Sequence, residues 1–185
     1  MSQCIKEKDD IEIIKLCLKE VDDFFHDRYY LFFVLGINSC FRPQELLALE
    51  WKTILDENLL IRNFVNYNQY LFSFNYSCQT ALFDYMSKYN NYHFSKYVFG
   101  DSKPLSIETI NRIFRMIRKD LSLDYDLSSL SLRKTFVYWQ IKTCNHDYVK
   151  MSKLTQLLYP SCPNINQYCE YEINDDLRYI NNVCL

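Results

Sequence analysis

The chain has 185 residues, 49% of them hydrophobic and 24% charged, which is typical of one globular domain with a sizeable core. Its two glycines cannot form a glycine-rich phosphate loop, so the common nucleotide-binding motifs are excluded. The eight cysteines show no C-x-x-C pair and the three histidines no ligand spacing, so we expect reduced thiols, no metal and no cofactor. No signal peptide pattern or long apolar run is present, which predicts a cytoplasmic protein without membrane contact.

The net charge of −2 conceals a basic segment. Residues 112–153 contain nine Lys and Arg against four Asp and Glu. A local basic surface on a nearly neutral protein indicates an anionic partner. The alternative is a solvated helix face, because the spacing of Arg112, Arg115, Arg118 and Lys119 is also typical of one.

The first half of the chain is predicted to contain four helices and one hairpin. Apolar spacing predicts an amphipathic helix over 8–25 that is capped by Asp9 or Asp10. Asp27 is expected to cap a buried central helix, and Pro43 fits the first position of a short third helix. Alternating residues predict strands at Leu59–Phe64 and Gln69–Phe74 around a turn at Asn66–Asn68, followed by a helix over Ser77–Lys88.

The second half is also predicted to be mostly helical. A loop at Asn90–His93 and a short strand at Tyr97–Phe99 precede a helix capped by Ser106. A further helix starts at a cap on Ser128 or Ser129, with Leu130, Leu132, Phe136 and Trp139 expected to face inward. Asn145–Asp147 interrupts the pattern, and Pro160 and Pro163 bracket a turn. Further helices are predicted at Val149–Leu158, Asn164–Tyr171 and Asp175–Asn181.

Two arginines occupy an unusual electrostatic setting. Arg133 and Lys134 lie in the first turn of the helix that follows Ser128, and Arg42 directly precedes the helix that starts at Pro43. The positive end of a helix dipole disfavours cations, and a bound phosphate would remove that conflict. A solvated Arg-Lys pair after a serine cap is the alternative interpretation.

The order of these parts resembles the catalytic domain of the tyrosine recombinases, the phage integrase family. The specific parts are the segment from Arg42 through Glu45 to Trp51 and the sequence Leu-Arg133-Lys-Thr-Phe136. The likeness runs from about Asp27 to the end, and nothing looks like the separate core-binding domain of those enzymes. We therefore expect one integrase-like domain over 1–185, mainly α with a small β-hairpin, and a C-terminal tail helix within 172–185.

The resemblance assigns catalytic roles. In that family two arginines bind the scissile phosphate, a histidine precedes the second arginine, a hairpin lysine protonates the leaving oxygen, a His or Trp supports the phosphate, and a tyrosine attacks it. Arg42 and Arg133 match the arginine pair, and Glu45 matches the acidic residue after the first. Guanidinium groups suit this role because they neutralise the charge of a phosphoryl transition state.

The other four roles are substituted. Leu130 stands at the histidine position and Pro160 at the supporting one. No lysine occurs from Thr53 to Ser87, and Arg62, the only hairpin cation, cannot readily release a proton. Cys169 occupies the tyrosine position, with Tyr168 and Tyr171 beside it.

These substitutions predict a catalytically inactive DNA-binding protein on the recombinase fold, which acts by duplex binding or as a partner in recombination or integration of a mobile element or virus. The expected DNA contacts are Arg42, Arg62, Arg133, Lys134 and the stripe Arg112, Arg115, Arg118 and Lys119. Two alternatives stay open: an active recombinase with Tyr168 or a neighbour as nucleophile, and a protein interaction module that has lost DNA binding. Because the family's C-terminal tail docks on a neighbouring subunit, the resemblance also implies a homo-oligomer or an active recombinase partner.

Overall fold

The computed structural model describes residues 2–23, 25–67, 70–89, 95–144, 147–158 and 164–171. Within these ranges the chain forms helices around one antiparallel strand pair, which confirms the predicted mainly α fold with a hairpin. In chain order the elements are α1 (Lys8–Glu20), α2 (His26–Ile37), α3 (Pro43–Leu47), α4 (Trp51–Ile54), β1 (Phe64–Tyr67), β2 (Tyr70–Ser73), α5 (Tyr76–Lys88), α6 (Ile107–Asp120), α7 (Ser129–Thr143), α8 (Tyr148–Leu158) and α9 (Ile165–Cys169).

Helix α2 is the centre of the core, as its apolar sequence predicts. It packs against α1, α5 and α7, and most of its residues are buried. Phe33 meets Phe114 of α6 edge to face, with ring centroids 6.3 Å apart. Gly36 allows α7 to approach closely, because a Cβ at this position would lie 2.5 Å from Cδ1 of Leu132. The helix that carries Arg133 is therefore seated directly on the core.

The first two helix boundaries differ from the prediction. Helix α1 ends at Glu20 instead of Phe25, and Asp27 lies in the first turn of α2 instead of capping it. Asp23 accounts for the difference, because its Oδ1 accepts a hydrogen bond from the backbone N–H of Phe25 at 2.8 Å. Such a local aspartate bond competes with helix formation and favours a turn.

The hairpin begins later than predicted. Strand β1 starts at Phe64, and the two strands pair from Phe64 with Ser73 to Tyr67 with Tyr70. The expected strand over 59–63 is wrong, because Asp56 Oδ1 accepts from the backbone N–H groups of Asn58 and Leu60 and closes a tight turn there. The predicted strand at 97–99 is reduced to an isolated bridge between Glu50 and Tyr97.

Several predictions concern residues that the structure does not describe. The loop at 90–93, the turn around Pro160 and Pro163, and the tail helix within 172–185 lie outside the described residues, as do positions 145–146 of the expected interruption.

Candidate functional site

Arg42 stands at the entrance of α3. It has extended backbone angles, Pro43 takes the first helical position, and Glu45 Oε2 accepts from the backbone N–H of Arg42 at 2.8 Å. This hydrogen bond stabilises the start of the helix and does not involve the guanidinium group of Arg42. The Arg42 side chain is exposed, and no ion pair to a described carboxylate holds it.

Two side chains fix the start of α7. Ser128 is the N-cap and accepts from the backbone N–H of Leu130 at 3.2 Å, which confirms the predicted serine cap. Asn111 of α6 accepts from the backbone N–H of Ser129 at 2.9 Å. Free helical N–H groups are therefore satisfied from two elements, and the first turn of α7 is held against α6.

Leu130 does not face inward as expected. Its side chain is 51% exposed, whereas Leu132 is 1% exposed. Two residues turn a helix by about 200°, so both positions cannot lie on one face. The buried face of α7 includes Arg133, which is only 5% exposed. A buried guanidinium in the core face of a helix is uncommon unless charged or polar groups surround it.

The surroundings of Arg133 include the segment before α3. Burial raises the pKa of the Cys40 thiol to about 12, the positive charge of Arg133 opposes that rise, and the carboxylate of Glu45 adds to it. Helix α3 also packs against α7. Helix α7, which carries Arg133, therefore packs against the short helix whose entrance carries Arg42.

Lys134 points elsewhere. Its Nζ donates to the backbone oxygen of Ser2 at 2.6 Å and to Glu170 Oε1 at 3.2 Å, and the side chain is 12% exposed. The ammonium group also lies 5.8 Å from the ring centroid of Tyr168. Lys134 is thus occupied by protein groups in this conformation.

The basic stripe of α6 is half neutralised. Arg112 lies 3.8 Å from Asp23, and Arg118 is paired with Asp126. Arg115 and Lys119 are exposed and form no ion pair within the described part of the chain. Asn111 faces the start of α7, because it accepts from the backbone N–H of Ser129. Arg115 and Arg118 follow Asn111 at i+4 and i+7 and therefore lie on the same side of α6.

Arg62 precedes the hairpin and is partly engaged by the backbone. Its N–H donates to the oxygen of Ile54 at 2.8 Å, and its Nε donates to the oxygen of Leu55 at 2.7 Å. The side chain is exposed at the base of β1. These bonds hold Arg62 in place beside α4 and leave part of its guanidinium facing solvent.

Helix α9 carries the position of the expected nucleophile. Cys169 is fully buried, and its thiol donates to the backbone oxygen of Ile165 at 3.2 Å. Tyr168 is half-buried beside Lys134, and Tyr171 packs on Tyr138 with ring centroids 5.7 Å apart. Glu170 ends the helix with φ of 57°, a left-handed conformation that costs a non-glycine residue about 1 kcal/mol. The position that matches the nucleophile therefore carries a thiol that is bonded within its own helix.

The sequence did not reveal three residues that shape this region. Thr135, Asn111 and Glu170 each bond to segments far away in the chain. Asn111 sits beside the basic stripe, which gives a weak signal, but no sequence pattern indicates which helix it caps. In the described residues there is no group of His, Cys, Asp or Glu that could hold a metal ion, and no helix there has the length and apolarity to cross a bilayer.

Comparison with known proteins supports the fold. No protein family model and no curated protein matches the sequence. Among solved structures, the crystal structure of XerA recombinase matches with a TM-score of 0.72 over all of this chain. The chain has a tyrosine recombinase fold. It spans 66% of the XerA recombinase chain, and at 15% sequence identity the likeness to XerA recombinase is one of fold alone.

Proposed function

We propose that this protein binds double-stranded DNA on a tyrosine recombinase fold without cleaving it, by occupying duplex sites or by working beside an active recombinase. The single observation that carries the proposal is the buried guanidinium of Arg133 on a helix that packs against α3, whose entrance carries Arg42. A recombinase fold places its phosphate-binding arginines in two such segments, which is the arrangement that the resemblance assigns to Arg42 and Arg133. The XerA match supports the fold on which this assignment rests.

Exposed cations can make further contacts with the DNA phosphates. Arg42, Arg115 and Lys119 are exposed, and Arg62 faces solvent at the hairpin base. Contacts between such side chains and backbone phosphates fix position and give salt-sensitive affinity with little choice of sequence. Arg112 and Arg118 are paired with Asp23 and Asp126, and phosphates would have to compete with these carboxylates. We therefore assign these two arginines a smaller share of the DNA affinity.

The absence of cleavage follows from the chemistry of the substituted positions. Leu130 cannot exchange protons, and Arg62 cannot act as a general acid at neutral pH. The Cys169 thiol is fully buried and bonded within its helix, so an incoming phosphate cannot reach it without movement of α9. Tyr168 is the remaining candidate nucleophile, because it is half-buried and lies next to a cation.

Duplex binding is tested by fluorescence anisotropy with a labelled duplex of about 30 base pairs at about 50 to 200 mM salt. We expect Arg42→Gln to weaken binding roughly three- to tenfold and to make the salt slope shallower by about 0.9, the value for one lost phosphate contact. Lys15→Gln is the matched control, because it removes a cation that is paired with Glu12 on α1. Equal loss in both variants, or no binding at low salt, contradicts the proposal and favours a protein interaction module.

Cleavage is tested on a nicked suicide duplex that traps a covalent phosphotyrosine. We expect no protein–DNA adduct with the wild-type chain. An adduct that disappears in Tyr168→Phe and persists in Tyr171→Phe would establish the active recombinase instead.

A further inference from the structure

An extended N-terminal segment lies across the helices that carry the candidate site. We call Ser2–Glu7 the N-terminal strap. The backbone N–H of Ile5 donates to Thr135 Oγ1 at 2.9 Å, and the Ile5 oxygen accepts from Trp139 Nε1 at 3.1 Å. Both partners belong to α7, so the strap runs along the helix of Arg133.

The strap also reaches α9 and the segment before α7. The Cys4 thiol donates to the oxygen of Cys169 at 2.9 Å, and Lys6 Nζ donates to the oxygen of Glu170 at 3.1 Å. Gln3 exchanges two hydrogen bonds with the backbone of Asp126, each 3.1 Å long. The side chain of Ile5 is fully buried and that of Cys4 is 3% exposed. The strap is therefore anchored by apolar burial and by bonds to three separate segments.

The strap accepts a hydrogen bond from Lys134, the cation that follows Arg133. Its Ser2 oxygen takes the shorter of the two hydrogen bonds of Lys134, and Glu170 takes the other. An ammonium group has three donors, and a phosphate oxygen is a stronger acceptor than a neutral carbonyl. Loss of the strap would leave Lys134 with Glu170 as its protein partner and open one side of its ammonium group to solvent.

We propose that the N-terminal strap is an autoinhibitory contact that withholds Lys134 from the DNA backbone. This inference rests on the proposed function, since it treats duplex DNA as the competing ligand. Closed, the strap holds one donor of Lys134 on the Ser2 oxygen, while Glu170 at the end of α9 accepts from another. Open, it exposes one side of the Lys134 ammonium group to a phosphate oxygen, and duplex affinity rises. The burial of Ile5 makes the closed form the stable one, so opening requires a partner or a weakened anchor.

The test is a double-mutant cycle on the full chain with Ile5→Ala as the loosened strap and Lys134→Gln as the reporter. Duplex affinity is measured by anisotropy at about 50 to 200 mM salt. In the wild-type background we expect Lys134→Gln to change affinity less than about twofold, because this ammonium is already occupied. Ile5→Ala should strengthen binding roughly three- to tenfold and steepen the salt slope by about 0.9, and Lys134→Gln in that background should abolish both gains.

Trp139→Phe is a second way of loosening the strap, since it removes the indole N–H that donates to the Ile5 oxygen and leaves Ile5 itself unchanged. Hydrogen exchange at residue 5 should speed up in both loosened variants, while circular dichroism at 222 nm remains that of the wild type. Should Ile5→Ala fail to fold, Trp139→Phe decides the outcome alone.

Three results would overturn the inference. They are an unchanged affinity despite faster exchange at residue 5, an affinity gain that survives Lys134→Gln, and a loss of fivefold or more from Lys134→Gln in the wild-type background. If the wild-type chain binds duplex and the loosened variants gain nothing, the strap inference fails and the proposed function stands. If no variant binds duplex at low salt, both fail together.

Discussion

At the scale of single residues, Cys169 is part of the packing of α9. The thiol is fully buried and donates to the carbonyl one helical turn earlier. A buried thiol behaves as a small apolar side chain, and its reactivity is low. The Cys169 side chain therefore contributes to packing and is not accessible to a ligand in this conformation.

Placing a tyrosine at this position should damage the fold and provide no cleavage activity. Cys169→Tyr inserts a ring into a fully buried site, and we expect a loss of about 1 to 3 kcal/mol in the free energy of unfolding. Urea denaturation followed by circular dichroism measures the loss, and Cys169→Ala, which removes volume instead, is the matched control. A Cys169→Tyr protein as stable as the wild type and able to form a DNA adduct would refute the packing role.

At the scale of elements, the start of α7 is organised by capping. Ser128 caps the helix from its own chain, and Asn111 caps it from α6. Ser106 caps α6 in the same manner, accepting from the backbone N–H of Thr109 at 3.1 Å. The Asn111 cap joins α6 to the start of α7, which constrains where Arg115 stands relative to Arg133.

Removing either serine cap should cost similar stability. Ser128→Ala and Ser106→Ala each remove one hydrogen-bond acceptor at a helix start, and we expect about 1 kcal/mol from each, measured by urea denaturation with an unchanged m-value. Ser128→Ala should in addition speed hydrogen exchange in the strap, because the Ser128 hydroxyl donates to Ser2 Oγ at 2.8 Å. Identical exchange in the two variants would separate the α7 cap from the strap.

Local sequence patterns predicted several of the elements but not the contacts that join distant parts of the chain. Serine caps, the central apolar helix and the hairpin follow from local patterns, and all three are present. Leu130 was misjudged because periodicity allows two registers when leucines are spaced two apart. The contacts of the strap and of Asn111 were invisible, since each joins residues that no local pattern relates.

At the scale of the whole molecule, two ion pairs hold α2 to its neighbours. Arg28 donates to Asp101 Oδ1 at 2.7 Å and through Nε to the Tyr85 hydroxyl at 2.9 Å. Lys88 of α5 lies 2.6 Å from Asp27. The hydrogen bonds of Arg28 and then Ser95 lower the pKa of Asp101 below its ordinary value. These pairs fasten α2 to α5 and to the segment around Asp101.

Stability should therefore fall in acid. Because the pKa of Asp101 is lower in the folded chain than in the unfolded one, its stabilisation is present above the unfolded pKa and is lost as pH falls through the folded pKa, below about 4. Asp101→Asn should lose less stability than the wild type between pH 7 and 3. The Asp101 side chain is 68% exposed, so we expect a difference under about 1 kcal/mol.

The comparison is made by urea denaturation at each pH, with Asp84→Asn as the matched control. Asp84 is an exposed carboxylate on α5 that belongs to neither pair. Parallel pH profiles for wild type and Asp101→Asn would rule out a contribution from this carboxylate.

The bond from Cys4 to Cys169 spans 165 positions. During synthesis residues 4 and 5 leave the ribosome long before α7 and α9, so Ile5 lacks its partners on α7, and Cys4 its partner on α9, until those helices emerge. Closing so long a loop is slow, which makes attachment of these residues a late folding event. A thiol reagent added to nascent chains should label Cys4 readily, and the same reagent should leave it unmodified once α9 has joined the core.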